Sequence, residues 1–211
     1  MDFVRLNGIA EKLLKKRKAH PERERGSIYE HGQRVARLAV LLRKEIVPED
    51  DSRDDILRLA GMFHDIGKGI EPHAEFGAPI MLQAVRGVVS DEEAAEAARL
   101  IAAHCDRRPQ EDVHDVWVRL IQDADLLDHI GTYTIWMDIQ YAAYQDAGAE
   151  ETAQRMEKGA EEYARHCRSL LNFDLTKRIY DDRIALYMEF VARFSAEARG
   201  RIYGEERFLG K

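Results

Sequence analysis

Phe63-His64-Asp65-Ile66-Gly67-Lys68 sets an imidazole and a carboxylate side by side at one point of the backbone. Both side chains are ligand types for borderline and hard divalent metals. An apolar, helix-periodic segment from Ile56 to His64 leads into the pair, and Gly67 follows it. Glycine takes left-handed C-cap conformations at little cost, so Gly67 is expected to stop that helix. The pair then sits at a helix end beside a cavity. Further candidate ligands flank it, with His31 upstream and His73, His104 and Asp125 downstream.

Asp125 lies one turn after Ile121, so a carboxylate borders an apolar helix face. Burying an unpaired carboxylate is costly. A metal offsets that cost; an arginine or a helix N-terminus is the plainer alternative. Histidines and carboxylates together suit Zn, Mn, Fe, Co or Ni. Four of these residues are enough for one ion with open positions left over. Two more histidines allow a second ion, with Asp65 able to bridge through its two oxygens, and a hydroxide between metals is a ready nucleophile at neutral pH.

These residues must be positioned by helices, because almost every segment has helical periodicity and β-branched alternation is scarce. The spacing predicts a first helix over Phe3–Lys18 and a second from Ser27 to before Pro48. A third is capped by Ser52 and ends at His64-Asp65. A fourth covers His73–Val85 with Pro79 bending it, and a fifth covers Ala94–His104 behind a Ser90 or Asp91 cap. Arg107 to Glu111 is a polar loop around Pro109. A sixth helix faces inward with Val113, Trp117, Leu120, Ile121 and Ala124, and a seventh covers Thr132–Asp146. Two long helices, about Glu150–Leu171 and Thr176–Arg199, complete the chain. The expectation is one all-α domain over residues 1–211, with a metal-binding core over about 27–131 and a helical extension over about 132–200.

The order His31, His64-Asp65, Asp125 resembles the H…HD…D signature of the HD superfamily of metal-dependent phosphohydrolases. Phe63 to Lys68 is similar to its HDIGK form, and Asp123-Ala124-Asp125-Leu126-Leu127-Asp128 to its DAD-x-LD stretch, whose second aspartate is the ligand. His73-Ala74-Glu75-Phe76-Gly77-Ala78 and Ile101-Ala102-Ala103-His104 resemble segments of the HD modules of ribonuclease Y and of HD-GYP phosphodiesterases. The resemblance covers about His31 to Asp128. It implies an HD-domain helical bundle with His31, His64, Asp65 and Asp125 at a metal, and His73 and His104 at a second one. It implies that Lys68 faces a substrate phosphate. Where many relatives have a second histidine this chain has Cys105, a soft ligand or, as the favoured expectation, a buried apolar filler. The GYP signature itself is absent, so cyclic di-GMP cleavage is not supported.

Arg107 and Arg108 follow His104 and are candidates for a phosphate clamp through paired N–H donors; a surface loop explains them equally well. Asp128 is a candidate to orient a metal ligand through a hydrogen bond. His129, one turn beyond Asp125, is a candidate to support a metal ligand; as the favoured expectation it and His20, His114 and His166 are structural or surface residues.

The net charge of −7 argues against an extended nucleic-acid footprint, which needs a basic surface. It leaves a small phosphorylated substrate such as a nucleotide, because a metal supplies local positive charge. Two cysteines are too few for a disulfide framework, and a reduced cytoplasmic setting is the simpler reading. There is no membrane-spanning apolar run and no signal-peptide pattern at the N-terminus. The long terminal helices offer surfaces on which two copies could pair as a homodimer.

The expected activity is hydrolysis of a phosphate mono- or diester by a metal-bound hydroxide, with Asp65 and Lys68 in catalytic roles and one or two divalent transition-metal ions as cofactor. A di-iron HD-type oxygenase uses the same six ligands and is the alternative enzyme. A non-catalytic metal-binding helical module is the alternative outside enzymes.

Overall fold

The structure, a computed structural model, describes residues 1–108 and 115–209. Pro109, Glu111, Val113 and His114, which the sequence assigns to a loop, a helix face and a structural role, lie outside them. Among the described residues the regular structure is ten α-helices, a short 3₁₀ turn at Glu205–Arg207 and an isolated bridge between Arg86 and Val89. The fold class is all-α, as expected.

The chain divides into two compact units, Met1–Asp128 with Leu170–Thr176, and His129–Ser169 with Lys177–Lys211. The first unit holds α1 (Phe3–Leu14), α2 (Ser27–Ile46), α3 (Asp54–Phe63), α4 (His73–Ala84), α5 (Asp91–Ala103) and α6 (Val116–Asp128). Helix α5 starts where its sequence says it should, in a capping box. Ser90 accepts from the Glu93 amide, and the Glu93 carboxylate accepts from the Ser90 amide. Helix α6 is the central element, buried along nearly its whole length from Trp117 to Asp128.

Two boundaries differ from expectation in this unit. Helix α1 ends at Leu14 rather than Lys18. The basic residues beyond it leave the helix, and Arg17 donates instead to the carbonyls of Ile66 (2.8 Å) and Lys68 (2.6 Å). Ser52 does not cap α3; its hydroxyl bonds the Asp50 carboxylate, and the helix begins at Asp54 behind Arg53.

Helices α2 and α3 touch backbone to backbone through two glycines. A Cβ on Gly32 would lie 2.6 Å from the Met62 carbonyl oxygen, and one on Gly61 would lie 2.6 Å from the Ala36 Cα. Gly32 follows His31, and the Gly61 carbonyl accepts from His64 Nδ1 at 2.9 Å. The close approach therefore fixes where these two histidines stand.

The second unit contains α7 (Thr132–Tyr144), α8 (Ala149–Glu157), α9 (Ala160–Ser169) and most of α10 (Asp174–Ala198). The expected long helix over Glu150–Leu171 is two helices, interrupted at Gly159, whose φ of +81° no continuing right-handed helix can hold. Helix α10 is long, as expected. Met156, Tyr187 and Val191 form the centre of this unit's core, with Ile135, Ile184 and Phe194 packed against it. Polar fasteners surround it: Tyr187 donates to the Asp138 carboxylate (2.8 Å), which also pairs with Arg155 (3.0 Å), and Tyr180 donates to the Ala164 carbonyl (2.9 Å).

Candidate metal centre

Five helices of the first unit bring six side chains together. His31 comes from α2, and His64-Asp65 from the end of α3. His73 is the first residue of α4, His104 caps α5, and Asp125 lies in the last turn of α6. His64 and His104 are each 1% exposed, and His31 and Asp65 are also buried.

His31 Nε2 stands 3.0 Å from His64 Nε2 and 3.1 Å from Asp125 Oδ1, and His64 Nε2 is 3.6 Å from that oxygen. The other ring nitrogens are committed. His31 Nδ1 donates to Asp128 Oδ2 (2.7 Å) and His64 Nδ1 to the Gly61 carbonyl. In neutral rings both Nε2 atoms then carry lone pairs. Electron-rich atoms converging in a buried place need a cation or a proton among them. Metal–nitrogen bonds of about 2.0–2.1 Å put neighbouring ligand atoms roughly 2.9–3.4 Å apart, close to the separations found here. The donor set fits a divalent ion.

Asp65 faces two ways. Its Oδ2 lies 4.0 Å from His31 Nε2 and 3.9 Å from His64 Nε2. Its Oδ1 lies 3.3 Å from His73 Nε2, 3.8 Å from His104 Nε2 and 3.6 Å from Lys68 Nζ. One carboxylate thus turns one oxygen toward His31 and His64 and the other toward His73 and His104, while His64, His104 and Asp125 also converge with donor atoms within 4.8 Å of one another.

Charge balance follows from the same contacts. Burial opposes ionisation of Asp65, yet the neighbouring His64, the hydrogen bond with His73, Lys68 and His31 together hold its carboxyl far below the ordinary range. Burial opposes a charged His31 too, but hydrogen bonds to Asp125 and Asp128 outweigh it and raise His31 to about 9. Burial and then repulsion from His64 push His104 down to about 4, which leaves its imidazole neutral. The hydrogen bond to Asp65 raises His73.

Around these six stands a ring of supports. Asp128 holds His31 and is itself held by Arg34 through two bonds of 2.7 and 2.8 Å. Burial works against its charge, and His31 and Arg34 bring its carboxyl down to about 2. Asp128, the candidate to orient a ligand, thus bonds the candidate ligand His31. Gln122 donates to the carbonyls of Ala103 (3.1 Å) and Asp106 (2.8 Å), bracketing the turn that carries His104 and Cys105. Neither Gln122 nor Arg34 is evident from sequence as a support; only the spacing of Gln122 one turn before Asp125 hints at it.

The candidate substrate residues separate. Lys68 lies at the cluster, beside Asp65. Arg107 donates to Asp125 Oδ2 (2.6 Å) and to the Gln122 carbonyl, so it braces a candidate ligand rather than standing free to clamp a phosphate. Arg108 pairs with Asp106 at the surface.

Gly67 has a different role from the one its sequence position suggests. The positive φ belongs to Gly69 (+94°). Gly67 is required by close packing, since a Cβ there would lie 2.2 Å from the His73 carbonyl oxygen and 2.8 Å from the Gly77 amide. Cys105 also departs from expectation. It is exposed rather than a buried filler, with Sγ 3.2 Å from His104 Nε2 and 3.4 Å from His73 Nε2.

The HD domain family model matches residues 28–130. No match is found among curated proteins. Among solved structures, an HD-superfamily hydrolase from Bacillus thuringiensis is 18% identical with a TM-score of 0.65, over 94% of this chain and 97% of that one. A predicted HD-superfamily hydrolase from an uncultured Thermotogales bacterium is 21% identical with a TM-score of 0.60, over 92% and 91%. Bacillus subtilis YpgQ, solved in complex with ADP, is 17% identical with a TM-score of 0.58, over 100% and 98%. At such identities the likeness is one of fold. The segment that matches the HD domain, residues 28–130, contains the whole converging cluster from His31 to Asp125.

Proposed function

We propose that this protein is a metal-dependent phosphohydrolase acting on a small phosphate mono- or diester such as a nucleotide. The observation that carries the reading is the two-faced Asp65 between His31/His64 and His73/His104. His31, His64, Asp65 and Asp125 would hold one divalent ion, and Asp65, His73 and His104 a second. Zn, Mn, Fe, Co and Ni suit such a set. A divalent ion bound there supplies Lewis-acid polarisation and a water acidified toward pH 7.

The chain's own residues do the rest. Asp65 orients the groups on either side of it. Lys68, with its side chain 22% exposed, offers a cation toward a phosphoryl oxygen, where charge develops as the phosphorus–oxygen bond breaks. Arg107 keeps Asp125 in place and adds positive charge at the cluster. A nucleotide agrees with the ADP bound by YpgQ, a protein of similar fold. The negative net charge favours a small ligand over polymeric nucleic acid. Among the described residues no helix is long and apolar enough to cross a membrane, and Cys105 and Cys167 form no disulfide, in keeping with a reducing compartment.

The test is elemental analysis of purified protein beside a His64→Ala, Asp65→Ala variant, followed by a phosphoester screen with each metal. Bound metal and hydrolysis in the native chain, with hydrolysis reduced at least about 1000-fold and metal lost in the variant, are expected. Metal retained and turnover unchanged in the variant would refute the site. Oxygen consumption by an iron-loaded form without phosphoester cleavage would select the oxygenase instead.

A further inference from the structure

We propose that Cys105 is a metal ligand, and that with His73 and His104 it makes one of the two metal positions a nitrogen–sulfur site selective for a thiophilic divalent ion such as zinc or cobalt. This rests on the metal centre proposed above and gives it an asymmetry that the His/Asp set lacks.

His73, His104 and Cys105 offer three donor atoms, all within 4.8 Å of one another. Metal–nitrogen bonds of about 2.0–2.1 Å and a metal–sulfur bond of about 2.3 Å put neighbouring nitrogen and sulfur ligands roughly 3.1–3.6 Å apart. The two separations here, 3.2 and 3.4 Å, fall in that window. His104 is 1% exposed, and its Nδ1 donates to the Ile101 carbonyl at 2.7 Å. Its Nε2 lone pair is therefore aimed at Sγ. His73 turns Nδ1 toward the Glu71 carboxylate (3.2 Å) and presents Nε2 to both Sγ and Asp65 Oδ1. Asp65 Oδ1 lies 3.3 Å from His73 Nε2 and 3.8 Å from His104 Nε2, beside the two imidazoles of this group. Gln122 fixes the turn carrying His104 and Cys105 through two carbonyls, so the sulfur stands on a braced backbone.

A filler cysteine would be buried, and this one is exposed. Thiolate ligation favours zinc, cobalt or iron over magnesium or manganese. On binding, the thiol proton passes to solvent as the sulfur–metal bond forms, so one proton is released per ion at this position.

The test uses the full chain, stripped of metal and reloaded with cobalt(II). The expected result is two cobalt ions per chain with a near-ultraviolet sulfur-to-cobalt charge-transfer band. Cys105→Ser should abolish that band and weaken one of the two ions at least tenfold, while Cys105→His should restore the second ion without the band. Alkylation of Cys105 by iodoacetamide, read by peptide mass, should slow at least tenfold on zinc loading. A native chain that binds cobalt but shows neither band nor protection overturns the inference. If His64→Ala, Asp65→Ala still removes metal in that case, the metal centre stands and only the sulfur ligand fails. A native chain that binds no metal overturns both.

Discussion

Asp128 touches no candidate substrate position, yet it determines which nitrogen of His31 is free. Its carboxylate accepts from Nδ1, which leaves Nε2 for a cation, and Arg34 keeps the carboxylate from turning away. Such supports typically contribute 10- to 100-fold in metal affinity. Asp128→Ala is therefore expected to weaken metal binding by about that factor while leaving the helical content intact, measured by chelator competition and circular dichroism. An unchanged affinity would mean that the ring is oriented by its packing alone. The HD pair, His31 and Asp125 are legible in the sequence as ligand types in a known order. Asp128 is also legible as a candidate to orient a ligand, but which ligand is not, since its partner, His31, stands 97 positions away.

At the scale of elements, the spacing of His31 and His64 is a property of two helix backbones in contact. Gly61→Ala would set a Cβ 2.6 Å from the Ala36 Cα, and backbone atoms there have nowhere to move without parting α2 from α3. We expect a net loss of about 1–2 kcal/mol, overpacking outweighing the gain in helix propensity, together with weaker metal binding. Gly8→Ala in α1, where nothing lies within 4 Å, should instead stabilise by about 0.5–1 kcal/mol. Chemical denaturation of both variants checks the pair, and equal effects would remove the close-contact argument. Helix existence was readable from apolar periodicity at nearly every segment. The break at Gly159 was not, because α8 and α9 each continue the pattern that one long amphipathic helix would show. Gly67 suggests a conformational role for a similar reason, since a sequence shows a glycine but not the His73 carbonyl packed against it.

The molecule as a whole contains a second polar anchor far along the chain from the candidate metal ligands. Glu157 accepts from Arg199 and Ser195, and these contacts lower its carboxyl from 4.5 to about 2. A carboxyl depressed in the folded state stabilises fully above its unfolded value and loses that contribution as pH falls through its folded value. The stability difference between native protein and Glu157→Gln should therefore be full above about pH 4.5 and fade toward pH 2. A difference that does not vary across this window would show that the charge plays no part.

The first unit is closed by a segment that arrives late. Asp123, fully buried in α6, accepts from the amides of Asn172 (3.0 Å) and Phe173 (3.3 Å), the Asn172 side chain (2.7 Å) and the Thr176 hydroxyl. A chain ending at Ser169 would leave that carboxylate without these partners, and is expected to lose about 3 kcal/mol or more and to become protease-sensitive. During synthesis, the portion bearing every candidate ligand therefore stays unsealed long after Asp125 has emerged from the ribosome. Acquisition of metal by nascent chains should begin only once residue 176 is outside, a timing that arrested chains of graded length would reveal.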